Sequence, residues 1–482
     1  MTRQINRVTG ILILLMLGLI ANLSYIQFFN SNALRNKPGN QRVLLAEYSK
    51  QRGPILVGPT VVSESVQTND ALKYLRKYRE GSIFASVTGY YSLIYGSTGI
   101  ESEENSILSG SDNRFFVDRL QQLLANRQPQ GGAVELTINP AAQKIAMEAL
   151  AGRTGAVVAI DPKTGAILAL ASSPTYNPNG LSSHDTQKIQ TYYNRLLANP
   201  KQPLLNRPLA MTLPPGSTFK LITAAAALES GRYSVQSMIP GPATIALPNS
   251  THRLGNWNRR ACSGSGKTSL DNALAISCNT AFAWLGTQLG QDAIAKQAGK
   301  FGFGSSFEIP MTSAVSKYPT GMDSAQTAMS AIGQFDVQAT ALQMAMVVAG
   351  IGNSGAVMKP YLVKQILGPD LKVLESTNPK VFSQAVSPEN ARTLATMMTH
   401  VVERGTGTNA RIYGVSVGGK TGTAETSPNT PAHAWFVGMA PAQNAKIAVA
   451  VVLQNGGGAT EISGNGLAAP IARAIMQSIL PN

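Results

Sequence analysis

The spacing of apolar and polar positions predicts three kinds of element in turn along the chain. Residues 8–29, VTGILILLMLGLIANLSYIQFF, carry no charge after Arg3 and Arg7. A helix of about 22 residues at 1.5 Å per residue crosses a hydrocarbon layer of ~30 Å. Tyr25, Phe28 and Phe29 close the run where interfacial aromatics belong. The run is longer than the apolar part of a cleaved secretory signal, and no A-x-A-like site follows it, so an uncleaved anchor is expected. Its orientation is close to a tie on charge alone: Arg3 and Arg7 precede it, and Arg35, Lys37 and Arg42 follow.

Residues 31–130 are polar and turn-rich, with short β-like runs at 43–47 and 54–62. Residues 72–91, LKYLRKYREGSIFASVTGYY, are rich in aromatics and positive charge, and the charged stretch 101–105 predicts a surface helix. A strand is expected at 134–138 and a helix at 140–150, with a domain boundary near residue 140. Beyond it, GAVVAIDPKTGAILALAS (155–172) is two apolar strands joined by turn residues Asp161, Pro162 and Gly165, a hairpin pattern. Two more strands follow at 434–439 and 446–453, then a terminal helix at 467–479. Helical segments lie between, at 219–228 and 269–289. Strands at both ends of a domain around a helical middle predict an α+β fold: one antiparallel sheet, a helical lobe, and a cleft between them. Three regions are therefore expected: 1–30 as cytoplasmic tip and anchor, 31–140 as a smaller non-catalytic domain, and 141–482 as the catalytic domain.

Of the 482 residues, 44% are hydrophobic and 13% charged, which excludes a mainly disordered chain. The formal charge of +15 suits an anionic neighbour such as a membrane surface or a wall polymer. Nucleic acid is the weakest of the candidates, because zinc spacing, a basic arm and an aromatic RNA-binding signature are all missing. Two cysteines exclude a disulfide-rich scaffold.

Candidate chemistry concentrates in PPGSTFK, residues 214–220. The stiff Pro-Pro-Gly lead-in places Ser217 at the start of an apolar helix, where free N–H groups favour a developing anion. Lys220 follows one turn along, and burial would lower its pKa until it could take the Ser217 proton. Taken alone, this pair reads more readily as a helix cap and a solvated lysine. Ser277-Cys278-Asn279 adds a hydroxyl and an amide that face one surface only if the backbone there is not helical. Lys420-Thr421-Gly422-Thr423 suits an edge strand facing the cleft, with Gly422 leaving room for a substrate backbone. Single triplets are weak: Lys163-Thr164-Gly165 repeats K-T-G in the hairpin turn, and Ser111-Asp112-Asn113 repeats S-x-N. The ordered set of three is specific.

That set is the signature of penicillin-binding proteins and serine β-lactamases. The chain resembles monofunctional class B penicillin-binding proteins over nearly its whole length, also through GAVVAIDPKTGAILALASSPTYNPN, NRPLAMTLPPGSTFK, AWFVGMAP, QRGPIL (51–56) and AIGQFDVQATALQMA (331–345). VTGYYS (87–92) resembles the penicillin-binding protein A branch. The resemblance implies a peptidoglycan D,D-transpeptidase that crosslinks stem peptides ending in D-Ala-D-Ala and is inhibited by β-lactams. Ser217 would be the nucleophile and Lys220 its base, Ser277 a proton relay, and Lys420 a tuner of local charge. Asn279, Thr421, Gly422 and Thr423 would line the substrate site, with no metal or organic cofactor. It further implies a single-pass protein of the bacterial cell membrane, its catalytic domain extracytoplasmic, with cell-wall synthesis or division proteins as partners. Competing readings are a D,D-carboxypeptidase, a β-lactamase, and a non-catalytic β-lactam sensor or scaffold. In that compartment Cys262 and Cys278 are either bridged or two free thiols.

Overall fold

The computed structural model describes residues 2–28, 47–116, 130–426, 430–459 and 462–480. Thr2–Phe28 is one helix, and its Asn6–Ile26 stretch, with none of its apolar window buried, is long and apolar enough to cross a membrane. The β-like run at 43–47 lies, except for Glu47, outside the described residues, as do Arg35, Lys37 and Arg42.

A five-stranded antiparallel sheet organises the larger part of the chain, in the order Gly418–Ala424, His433–Ala440, Ile447–Leu453, Gly155–Ile160, Ile167–Ser173. Its central strands are buried at every position because both faces are covered. In Ile447–Leu453, Ile447, Val449, Val451 and Leu453 pack on one side with the helices Pro140–Ala149 and Ala469–Ile479. Ala448, Ala450 and Val452 face the other side, toward the helices Ala341–Gly352 and Lys220–Glu229. The small residues on that side let the buried helix Ala341–Gly352 lie close to the sheet. Asn139 starts Pro140–Ala149 by accepting from the Ala142 N–H, with Pro140 at the first helical position, where a missing N–H costs nothing. The hairpin, the late strands and the helical middle all stand where hydrophobic patterning put them. Trp435 and Phe436 are fully buried in the strand His433–Ala440.

The expected helix at 269–289 is two helices, Leu270–Ala275 and Asn279–Leu289, broken at Ser277. A second, mixed sheet runs Val373–Ser376, Val363–Leu367, Ala133–Leu136, Ile55–Val57, Thr60–Gln67, Tyr74–Tyr78. Two of its strands, Val363–Leu367 and Val373–Ser376, come from the C-terminal half, so a hairpin of that half completes the sheet of the other.

Glu101 departs from expectation. It lies in the first turn of the short helix Ile100–Glu103 yet is fully buried, because two arginines converge on it. Arg52 Nε and Arg76 Nε each donate to its carboxylate at 2.6 Å, and Ser63 and Tyr78 donate hydroxyls to it. Arg52 also donates to Asn105 and lies over the Tyr91 ring, and Arg76 donates to the Gly53 carbonyl. Burial would raise the Glu101 pKa, but the two guanidiniums outweigh it and hold it below the ordinary value. Within the stretch expected as a surface helix, Glu103 is exposed, but Glu101 is the polar centre of the small domain. Glu101→Ala would leave two buried guanidiniums without a counter-ion, a loss of about 3–5 kcal/mol for a broken buried pair. We expect its lowest thermal transition to fall by several degrees, with early proteolysis between residues 47 and 116; an unchanged melting curve would contradict this account.

Candidate active site

Ser217 lies in a 3-10 turn, Gly216–Phe219, that leads directly into the helix Lys220–Glu229, buried from Lys220 to Leu228. Gly216 has φ 53°, and its N–H donates to the Gly333 carbonyl at 3.0 Å. A Cβ at Gly216 would stand 2.9 Å from the Thr423 carbonyl oxygen, and one at Gly422 would stand 2.9 Å from that of Pro215. The two glycines let the edge strand Gly418–Ala424 press against the turn that carries the serine. Ser217 itself is half-buried, and among the described residues no hydrogen bond engages its hydroxyl.

Ser277 and Asn279 reach the same place because the helix is interrupted. Ser277 has φ 59°, a left-handed conformation that costs a non-glycine residue about 1 kcal/mol or more, and Cys278 is extended. This irregularity puts side chains two residues apart on one side. Cys278 is joined to Cys262 by a disulfide, which ties the break to the preceding loop. Asn256 supports it further, accepting from the Thr280 N–H at 3.1 Å.

Two lysines with no exposed surface meet at this break. Lys220 Nζ lies 2.7 Å from Asn279 Oδ1, 2.9 Å from the Ser277 carbonyl oxygen and 3.2 Å from Ser277 Oγ. Lys420 Nζ lies 2.9 Å from the same Ser277 Oγ and 3.0 Å from the Thr421 carbonyl oxygen. Sharing one oxygen, the two nitrogens are no more than about 6 Å apart. Two positive charges at that distance repel by about 3 kcal/mol at an effective dielectric of about 20. Among the described residues neither has a carboxylate partner. Burial, with Lys420 adding to it, pushes Lys220 well below its ordinary pKa, and burial lowers Lys420 to about 7. The pair therefore holds fewer than two protons near neutral pH. A neutral amine beside a serine-bearing turn is a base in waiting.

The threonines of the edge strand divide. Thr423 is exposed, whereas Thr421 Oγ1 lies 2.7 Å from Thr406 Oγ1 and is buried, turned to a neighbour rather than free for a ligand. Thr406, Gly255 and Asn256 were invisible to motif reading, since each enters through a contact distant in sequence. Gly255 accepts from Asn279 Nδ2 at 3.2 Å. Of the decoys, the Lys163 N–H and the Thr164 hydroxyl donate to Asp161, and Thr164 accepts from the Ala166 N–H, all within the hairpin turn.

Residues 155–477 match the penicillin binding protein transpeptidase domain. The chain belongs to that family. The penicillin-binding protein match continues upstream, where residues 52–134 fit the penicillin binding protein A dimerisation domain. A peptidoglycan D,D-transpeptidase PbpA of Mycolicibacterium smegmatis is 43% identical over 100% of this chain and 99% of its own. The PbpA of Mycobacterium tuberculosis is 42% identical over the same shares. The solved M. tuberculosis penicillin-binding protein A, as a ceftriaxone acyl-enzyme complex, superposes with a TM-score of 0.89, covering 91% of this chain and 100% of that one, at 42% identity.

In this penicillin-binding protein the disulfide closes a loop with a sequence separation of 16. A loop of that length contributes about 3 kcal/mol in the chain-entropy account. Thiol titration of the denatured, unreduced protein should find no free thiol. Cys262→Ser should lower stability by an amount of that order, read as a drop in Tm, and two titratable thiols in the parent protein would overturn the pairing.

Proposed function

We propose that this chain is a membrane-anchored peptidoglycan D,D-transpeptidase that works through an acyl-enzyme on Ser217. The observation that carries the reading is the pair of buried lysines joined through Ser277 Oγ next to the serine's turn. The activity is that of the PbpA relatives, whose match spans the whole chain.

Ser217 Oγ attacks the carbonyl between the two terminal D-alanines of a stem peptide, and its proton passes to neutral Lys220. The backbone N–H groups of Ser217 and Thr423 hold the oxyanion. Ser277 passes a proton to the departing amine, supplied from the lysine pair, and D-alanine leaves. Asn279 keeps one amide hydrogen for the donor peptide while its oxygen accepts from Lys220. Exposed Thr423 supplies a hydroxyl for the terminal carboxylate, and Lys420 the positive field behind it. The acyl-serine is then attacked by an amine of a neighbouring stem, giving the crosslink. No metal or organic cofactor takes part.

The substrate fixes what charge counting left even: stem peptides lie outside the cytoplasmic membrane, so the helix Thr2–Phe28 anchors a catalytic domain on the outer side. The smaller domain, residues 52–134, serves as a pedestal or pairing module, and its partners are proteins of wall synthesis or division.

Mass spectrometry of a penicillin-treated tryptic digest should place the adduct on Ser217, and Ser217→Ala should abolish it. An adduct elsewhere, or rapid turnover with none, would reject the transpeptidase reading. The acylation rate should rise with pH as Lys220 loses its proton, well below pH 10.5, and fall again as Lys420 loses its own near pH 7. A rate still climbing at pH 9 would show that the charge on Lys420 is not used.

A further inference from the structure

The contact of Ser277 Oγ with Lys420 Nζ, at 2.9 Å, bridges the helical lobe and the edge strand Gly418–Ala424. Neither side chain can hold that gap by itself, because each belongs to a different element. The helix Pro388–Glu403 packs against both sides, against Leu270–Ala275 and against the edge strand. Residues 404–406 follow it directly and turn back between the two.

Thr406 touches both sides at once. Its N–H donates to the Ala275 carbonyl at 3.1 Å, two residues before Ser277. Its Oγ1 lies 2.7 Å from Thr421 Oγ1, one residue after Lys420. A ring of contacts therefore closes, from Thr406 through Ala275 and Ser277 to Lys420, and through Thr421 back to Thr406. The ring is tightly built: a Cβ at Gly405 would stand 2.1 Å from the Ala275 oxygen. Asp271 accepts from Arg404 Nη2 at 2.7 Å and lies 2.7 Å from His400 Nδ1, which rivets the start of the turn to the helix Leu270–Ala275. Thr421 is buried, and among the described residues the Thr406 hydroxyl is the one hydrogen-bond partner of its Oγ1. Removing that hydroxyl would leave a buried polar atom unpaired, a penalty the strand can relieve only by shifting.

We infer that Thr406 is a positioning residue for acylation: through Thr421 it fixes the edge strand at the distance that places Lys420 on Ser277 Oγ. This role rests on the transpeptidase reading and adds to it a residue outside the three motifs. Valine at 406 would keep the shape and the N–H and delete only the link to the sheet. Water then enters between strand and lobe. Lys420, lowered to about 7 by burial, moves back toward the pKa of a free lysine.

The test uses the full chain in detergent and measures acylation by benzylpenicillin up to saturation, which separates reversible binding from the acylation step. T406V should slow that step about tenfold, as expected for one buried hydroxyl left unpaired, with reversible binding within about twofold of the parent. The alkaline limb of its pH profile should move upward from about pH 7. T406S should restore both rate and limb. In a T421V background T406V should change the rate by less than about twofold, because the link is already gone. An unslowed T406V, a slowed step with the limb unmoved, a loss carried by reversible binding, a T406S that restores nothing, or a full loss persisting in T421V would each overturn the inference. If T406V does not fold, T406A, which adds no bulk to this half-buried position, is read in the same way. A parent protein that forms no acyl-enzyme would instead sink the transpeptidase reading, so the two failures are told apart.

Discussion

Two lysine side chains buried around one serine hydroxyl, with no carboxylate between them among the described residues, set the terms for the rest of the molecule. An ammonium in such a place is opposed by lost hydration and by its twin, so the fold must compensate through hydrogen bonds or give up a proton. It does both. Lys220 reaches a side-chain amide, a backbone carbonyl and a hydroxyl, Lys420 a carbonyl and the same hydroxyl. The partners lie 57 and 143 residues apart in sequence, so the network exists only when the helical lobe and the edge of the sheet are both in place. Chemistry and tertiary assembly are therefore coupled: loosening either lobe readmits water, returns both pKa values toward that of a free lysine, and removes the base.

Close approach follows from the same requirement. The edge strand can reach the serine's turn only because Gly216 and Gly422 lack the atoms that would collide with backbone oxygens across the gap. The helix bearing Ser277 must break to turn hydroxyl and amide one way, and the break is held by a disulfide to Cys262 and by Asn256. The break at Ser277 and the glycine at 422 each sit within a residue or two of a group that contacts the lysine pair. Regular helix and strand alone could not bring these side chains together.

How much of this could be read from the chain depended on the range of the interaction. The hairpin at 155–173, the late strands, the buried helix after Ser217 and the irregular Ser277-Cys278-Asn279 were legible, because each is decided by neighbours within a few residues. The pairing of Val363–Leu367 with Ala133–Leu136 was not, since strands more than 200 residues apart leave no joint pattern in either segment. Glu101 was misread for a related reason. A charged residue in a charged run looks solvated until Arg52 and Arg76, far along the chain, are seen to close on it. Thr421 shows the limit within the motif itself, because its partner Thr406 lies outside it.

The two buried charge clusters of this protein show why one is structural and the other reactive. Around Glu101 every charge has an opposite within 2.6 Å, and hydroxyls, an amide and a carbonyl take most of the remaining hydrogen-bonding capacity. Its arginines cannot shed their protons, so the cluster has one state and fixes a geometry. Around Ser277 the charges are alike and both are lysines, whose pKa burial can move through the neutral range. That cluster has several protonation states close in energy, and a hydroxyl between them able to pass a proton either way. Exchanging the residue types would reverse the roles: arginines at Ser277 would lock the charge in place and leave no base, and lysines beside Glu101 would lose the fork geometry that satisfies the carboxylate.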